Sequence, residues 1–180
     1  MEDKTDKLPE AGVLEEIQLF RCPRWEQLPE IDLYIDQTVS FLERYLQPVE
    51  TSSEEKTITG TMINNYVKQK VIDAPVKKKY NRTHLASLFV LCILKKVFSI
   101  GEVDKMMKIL QCVDFPAAYN RFCTALEDQI SLVFSCQGHP EHLSFSGEAV
   151  IKSAIIAFSH KLFTQKCLQA QENLQDKKDG

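Results

Sequence analysis

The chain has 180 residues, 44% hydrophobic and 26% charged, with six cysteines and a formal net charge of −3. That is an ordinary soluble globular composition, enough for one sizeable core or two small ones. The opening MEDKTDKLPE lacks the basic-plus-apolar start of a signal or transit peptide. The longest nearly apolar run, LASLFVLCIL from Leu85 to Leu94, has ten residues against the roughly 20 that span a bilayer. Secretion and membrane insertion are therefore not expected, and cysteines without a C-x-x-C pair, several of them inside apolar helical patterns, fit a reducing cytoplasm.

Helical period dominates and no run of alternating strand residues stands out, so the expected fold class is all-α, a helical bundle. Residues 1–19 read as a flexible arm with a short helix over Ala11 to Phe20. The irregular RCPRWEQLPE follows, with Trp25 placed to pin the arm onto the core. Ile31, Ile35, Val39, Leu42 and Leu46 recur at three- and four-residue spacing and predict an amphipathic helix from Ile31 to Leu46. VETSSEEKT is polar and aperiodic, a loop. Thr59 is the expected N-cap of a helix ending near Lys70 with Ile63, Tyr66 and Val67 inward. Val71 to Tyr80 contains Pro75, which removes a backbone donor and disfavours a helical residue before it, so an extended segment is expected.

Thr83 is the expected cap of a buried helix reaching about Phe98, and Ser99 with Glu102 forms the S-x-x-E capping box of the next, which buries Val103, Met106, Met107 and Leu110. Asp114 caps a further helix with Pro116 in its first turn, where a missing N–H is tolerated, and with a stripe of Phe122, Leu126, Ile130 and Val133. After a polar break at residues 136–146, a long helix from Ser146 to about Gln171 closes the chain. It carries Val150, Ile151, Ala154, Ile155, Phe158, Leu162 and Leu168. Two apolar faces on that helix admit a homodimer, whereas a hairpin back onto residues 114–135 leaves a monomer. The expected divisions are a 1–19 arm, a 20–112 domain, a 113–172 helical region and a disordered 173–180 tail.

Charge is distributed unevenly. Residues 60–96 hold eight Lys or Arg against the single acid Asp73, a local balance of +7 that leaves −10 for the remainder. A clustered field of this kind steers and binds phosphate, whereas a solvated loop is the bland alternative. Catalytic signatures are missing: no G-x-S-x-G, no P-loop, no Gly-rich fingerprint, and four histidines without a partner at motif spacing, so no enzyme and no cofactor is expected. Cys136, His139 and His142 could offer three metal ligands from one loop, but a structural zinc site wants four, and no metal is expected.

From Thr59 onward the order is capped helix, basic extended segment, capped buried helix, then FSIGEV opening another helix. This resembles the DNA-binding domain of MerR-type winged-helix regulators. MINNYVKQKVI, residues 62–72, aligns without gaps on their recognition-helix phrase T-L-R-Y-Y-E-x-x-G-L-I, with Tyr66 on the second tyrosine and Val71-Ile72 on the apolar pair. Pro75 and Lys79-Tyr80 match their wing, and Ser99, Glu102 and Val103 a later phrase; Asn64 stands where they carry arginine and Lys70 where they have glycine. Residues 20–110, including RWEQLPEIDLYIDQ and ITGTMINNYVKQ, resemble more closely the bacterial family of the domain of unknown function 1836, which looks like a distant MerR-type relative.

The resemblance implies a winged helix-turn-helix with a minimal basic wing and a long C-terminal helix, binding double-stranded DNA as a transcriptional regulator and dimerising through that helix. Thr59 starts the recognition helix 59–70, and Thr61, Asn64 and Asn65 are placed to reach base edges, since Asn pairs bidentately with adenine. Lys68, Lys70, Lys77, Lys78, Lys79 and Arg82 would hold the phosphate backbone, the last four from the wing 74–82 together with Tyr80. Tyr66 is either a core ring or a phosphate contact, Asn64 and Asn65 either readers or an exposed polar face, and His84 a phosphate or cap partner. A helical module whose basic edge meets an acidic protein is the alternative function.

Overall fold

The computed structural model describes residues 17, 19–49, 58–112 and 114–134, together with 155–157, 160–162, 164–166 and 168. They fall in two units, one of Leu19–Ile130 and one of residues 1–18 with 131–180, each taken by itself below. The mostly helical first unit runs through a 3-10 turn Trp25–Gln27, β1 (Leu33–Tyr34), α1 (Ile35–Leu46), a 3-10 turn Gln47–Val49, α2 (Gly60–Lys68), β2 (Lys79–Tyr80), α3 (Arg82–Lys95), α4 (Ile100–Gln111) and α5 (Phe115–Phe134). The strands are a correction to the sequence-based expectation. β1 and β2 pair antiparallel, Leu33 opposite Tyr80 and Tyr34 opposite Lys79, and two residues are too few for a period-2 pattern to register.

α3 is the centre of the unit. Residues 84–92 are buried without a break, so this helix has no solvent face, as its unbroken apolar sequence predicts. Leu85, Leu88, Phe89 and Leu91 are fully enclosed, each contributing about 1.5–3 kcal/mol by burial. α1, α4 and β2 pack around it. Its cap is Asn81, not Thr83: the Asn81 side chain accepts from the His84 N–H at 3.1 Å, and the His84 ring closes the reciprocal half of a capping box. The helix also stops at Lys95, three residues short of Phe98.

Other expectations shift for physical reasons. Ile31 is 74% exposed, because the chain at Leu33 and Tyr34 is drawn into the sheet and helix α1 begins only at Ile35. Gly60, the first residue of α2, approaches the start of α1 so closely that a Cβ there would lie 3.3 Å from Ile35 Cδ1. Ser99 and Glu102 form the expected box on α4, with Ser99 N–H donating to Glu102 Oε2 at 2.8 Å. Val103 and Met107 are its buried residues, while Met106 and Leu110 are half-buried.

On α5 the expected Phe122, Leu126 and Ile130 pack half-buried against the core while Val133 is exposed, and the fully buried residues are Ala118, Tyr119 and Cys123. The reason is the segment 23–25: Trp25 packs edge-on against Phe115 and Tyr119, its backbone N–H donates to Asn120 Oδ1 at 2.8 Å, and the Tyr119 hydroxyl donates to Pro23 O at 2.7 Å. Trp25 thus fastens residues 23–25 onto α5, while the 1–19 arm that it was expected to pin lies, apart from residues 17 and 19, outside the described residues.

In the second unit, helical residues recur over 131–134 and 155–168; Leu168 is buried while Leu132, Val133, Ile156 and Leu162 are exposed. Among the described residues no helix is long and apolar enough to cross a membrane. The expectations for residues 1–16, 50–57, 135–154 with Cys136, His139 and His142, for Phe158, and for 173–180 lie outside the described residues.

Candidate nucleic-acid interface

Thr59 caps α2 as its sequence predicts: its Oγ1 accepts from the Met62 N–H at 3.2 Å, satisfying one of the donors a helix start leaves open. From that start the 3.6-residue period divides the helix. Ile63 and Tyr66 point into the core, whereas Thr61, Asn64, Asn65 and Lys68, spaced i, i+3, i+4 and i+7, form one exposed polar face. Burial pushes the Tyr66 hydroxyl up from its ordinary range, with the nearby Cys92 adding to it, so this ring is a core group. Tyr80, 2% exposed and also raised by burial, is likewise a core ring.

The end of α2 is where the backbone departs from the ordinary. The Val71 N–H donates to Tyr66 O at 3.0 Å and the Lys70 N–H to Val67 O at 3.0 Å, the paired bonds of a Schellman cap. Such a cap needs a left-handed residue after the helix, and Lys70 supplies it at φ 59°. Glycine is the usual occupant, because an L side chain in that region costs roughly 1–2 kcal/mol.

Seven residues on, the segment expected to be extended folds into a tight turn instead. The Lys79 N–H donates to Val76 O at 2.9 Å, and the two residues between, Lys77 and Lys78, sit at φ 51° and 64°. Positive φ at both central positions is the type I′ turn, which normally takes Asn-Gly because its twist suits a hairpin but its backbone does not suit side chains. Among the described residues, Lys70, Lys77 and Lys78 are the non-glycine residues at positive φ. All three are exposed lysines.

Beyond the turn, Lys79 enters β2 and holds its ammonium 5.1 Å from the centroid of the Tyr34 ring, a cation–π contact with an exposed aromatic. The sequence marked Lys79 but not Tyr34, whose partner lies 45 residues away and becomes visible only through the strand pairing. Arg82 points elsewhere: its guanidinium lies 5.8 Å from the Trp25 ring centroid and 3.4 Å from Glu30 Oε1, half-buried against the arm. His84 is buried, edge-on to Tyr80 at 5.6 Å, with its Nδ1 on Asn81. Its role is the cap.

The thirteen candidates thus sort into three groups. Thr61, Asn64, Asn65 and Lys68 share the α2 face; Lys70, Lys77, Lys78 and Lys79 follow it along the connecting segment; Tyr66, Tyr80, Arg82 and His84 turn inward, with Thr59 at the cap. Among the described residues none of Lys68, Lys70, Lys77, Lys78 or Lys79 enters an ion pair. The surface therefore presents five cations that no carboxylate of the fold neutralises, beside two amide side chains able to donate and accept at once.

Neither the curated proteins nor the solved structures contain a match to this chain. A family profile does match, over residues 23–122, a span that runs from the arm through β1, the α2 face and the lysine turn into α5. With more than half of its length inside that match, the chain belongs to the family described as domain of unknown function (DUF1836).

Proposed function

We propose that this chain is a sequence-specific DNA-binding transcriptional regulator of the winged helix-turn-helix kind, distantly akin to the MerR-type proteins and working in the cytoplasm of a bacterium. The observation that carries the proposal is the set of three left-handed lysines. Left-handed non-glycine residues cost about 1–3 kcal/mol each and cluster at binding and active sites. Here each strained position sends out a cation with no partner in the described fold. The order strand, helix, helix, strand and three further helices supports the kinship, and Lys70, at the position where MerR-type proteins have glycine, takes a left-handed conformation that glycine favours.

In this proposal α2 enters the major groove, and Asn64 and Asn65 meet base edges. The cations Lys68, Lys70, Lys77, Lys78 and Lys79 neutralise phosphates and set the register. A homodimer through the second unit, where Leu132, Val133, Ile156 and Leu162 are exposed, would match a two-fold operator. A salt series on duplex binding tests the core of the proposal. Five phosphate contacts predict a log affinity that falls with log salt at a slope of about −4.5. A flat dependence, or saturable binding to an acidic polypeptide in place of a duplex, overturns it.

A further inference from the structure

Apart from the α2 surface, the densest cluster of polar and titratable groups lies where the arm meets α5. The Cys22 N–H donates to Glu127 Oε1 at 2.6 Å and Arg24 Nη2 to Glu127 Oε2 at 2.6 Å, so one carboxylate clamps both ends of the Cys22-Pro23-Arg24 turn. Inside that clamp two thiols approach each other reciprocally. Cys22 Sγ lies 3.8 Å from Cys123 O, and Cys123 Sγ lies 3.9 Å from the carbonyl oxygen of Pro23, the residue after Cys22. Both are free and buried, each thiol directed at a carbonyl of the segment that carries the other.

The surroundings of the pair are unequal. Cys22 holds its proton, chiefly because it donates to Cys123 and is buried, with Glu127 adding to the effect. Cys123 moves the other way: the Cys22 hydrogen bond first, then Tyr119 and Arg24, stabilise its thiolate against the opposing effect of burial. Arg24 Nη1 is buried without a hydrogen-bond partner among the described residues.

We propose that Cys22 and Cys123 are a redox couple that a peroxide oxidises to a disulfide, fastening the arm to α5. The Cys123 thiolate attacks one peroxide oxygen, the O–O bond breaks, and the departing hydroxide takes a proton to become water. The resulting sulfenic acid is then attacked by Cys22 sulfur; the S–S bond forms, the S–O bond breaks, and the Cys22 proton leaves with the hydroxyl as a second water. Two thiols lose two electrons and one peroxide gains them. Among the other described cysteines, Cys92 is pushed up to about 12 by burial and stays an inert thiol, and Cys112 is exposed but stands apart from this clamp.

The test is peptide mapping of the reduced full-length protein after native treatment with hydrogen peroxide, followed by alkylation in denaturant. A disulfide-linked peptide pair joining Cys22 to Cys123, converted to two alkylated cysteines when dithiothreitol precedes alkylation, is the expected result. A bond closing residues 101 apart in sequence raises the unfolding midpoint by on the order of 10 °C. In Cys22→Ser the resolving sulfur is gone, so Cys123 is trapped as sulfenic acid by dimedone. Full alkylation of both cysteines at peroxide doses that oxidise Cys112 overturns the proposal, as does a bond that pairs either with another cysteine. The mapping on the natural sequence decides even if the variant fails to fold, and it does not depend on what α2 binds.

Discussion

Replacing the three left-handed lysines with the residues their backbone prefers should make the protein more stable and worse at holding DNA. Lys70 closes a Schellman cap at φ 59°, and Lys77 and Lys78 fill the centre of a type I′ turn at φ 51° and 64°. An L side chain in this region costs roughly 1–2 kcal/mol, while a new glycine returns about 0.5–1 kcal/mol of that to the entropy of the unfolded chain. Lys70→Gly should therefore gain about 0.5–1 kcal/mol, and the triple variant Lys70→Gly, Lys77→Asn, Lys78→Gly about 2 kcal/mol. For a unit of about 100 residues that raises the midpoint of thermal unfolding by on the order of 10 °C. The same triple variant loses three cations, so the slope of log affinity against log salt should shrink by about 2.7. Calorimetry and fluorescence anisotropy on one preparation read both effects. Lys70→Ala separates them, because it keeps the strained backbone and removes the charge: its salt slope should fall by about 0.9 with no gain in stability. A triple variant that is no more stable refutes the strain argument, and one that is more stable with an unchanged slope refutes the binding role.

Asn64→Ala or Asn65→Ala should lose roughly 1–3 kcal/mol at the preferred duplex and little on random sequence, measured by competition; equal loss on both makes the residue a backbone contact. Leu162→Glu should convert a dimer to a monomer in sedimentation at micromolar concentration while the circular dichroism stays helical, and a wild-type monomer with or without duplex ends the dimer proposal. Alkali should destabilise the fold through Cys92, whose thiol burial raises from an ordinary 9.0 to about 12. A raised folded value means that the contribution is whole below pH 9 and is lost as pH climbs towards 12, at most about 4 kcal/mol over three pH units. Urea melts from pH 8 to 11 should show a shallower decline in Cys92→Val than in the natural protein, and parallel declines would remove Cys92 as the cause.

Where the partners lay within four residues of each other, the sequence was legible. Thr59 with Met62, and Ser99 with Glu102, are caps whose donor and acceptor sit one turn apart, so spacing alone identifies them. The unbroken apolar run of α3 likewise announces a helix without a solvent face. Asn81 was missed because its box partner is a histidine rather than Glu or Gln, and because Thr83, two residues later, is an equally good capping type. The strands escaped for a different reason: Leu33 finds Tyr80 across 47 residues, and no local pattern encodes that pairing. Tyr34, the partner of Lys79, was lost with them. On α5, period alone located the core-facing side but not its most enclosed residues, since the segment that covers Tyr119 and Cys123 comes from residues 22–25.

The left-handed lysines were the hardest to foresee, because sequence signals that conformation through glycine or asparagine and here offers neither. That failure is itself informative. A chain selected only for stability would place Asn-Gly at residues 77–78 and glycine at 70, and nothing in the packing forbids it, since all three side chains face solvent. The strain there, about 3–6 kcal/mol in all by the per-residue cost, is less than the burial of α3 supplies, so the fold tolerates it without needing it. Local rules are broken here at exposed positions, the kind of place where a functional site is expected, and in the proposed function the gain comes from outside the protein. The proposal takes that partner to be duplex DNA rather than an acidic protein surface, because cations without an ion pair among the described residues stand beside two exposed amides that can donate to and accept from base edges.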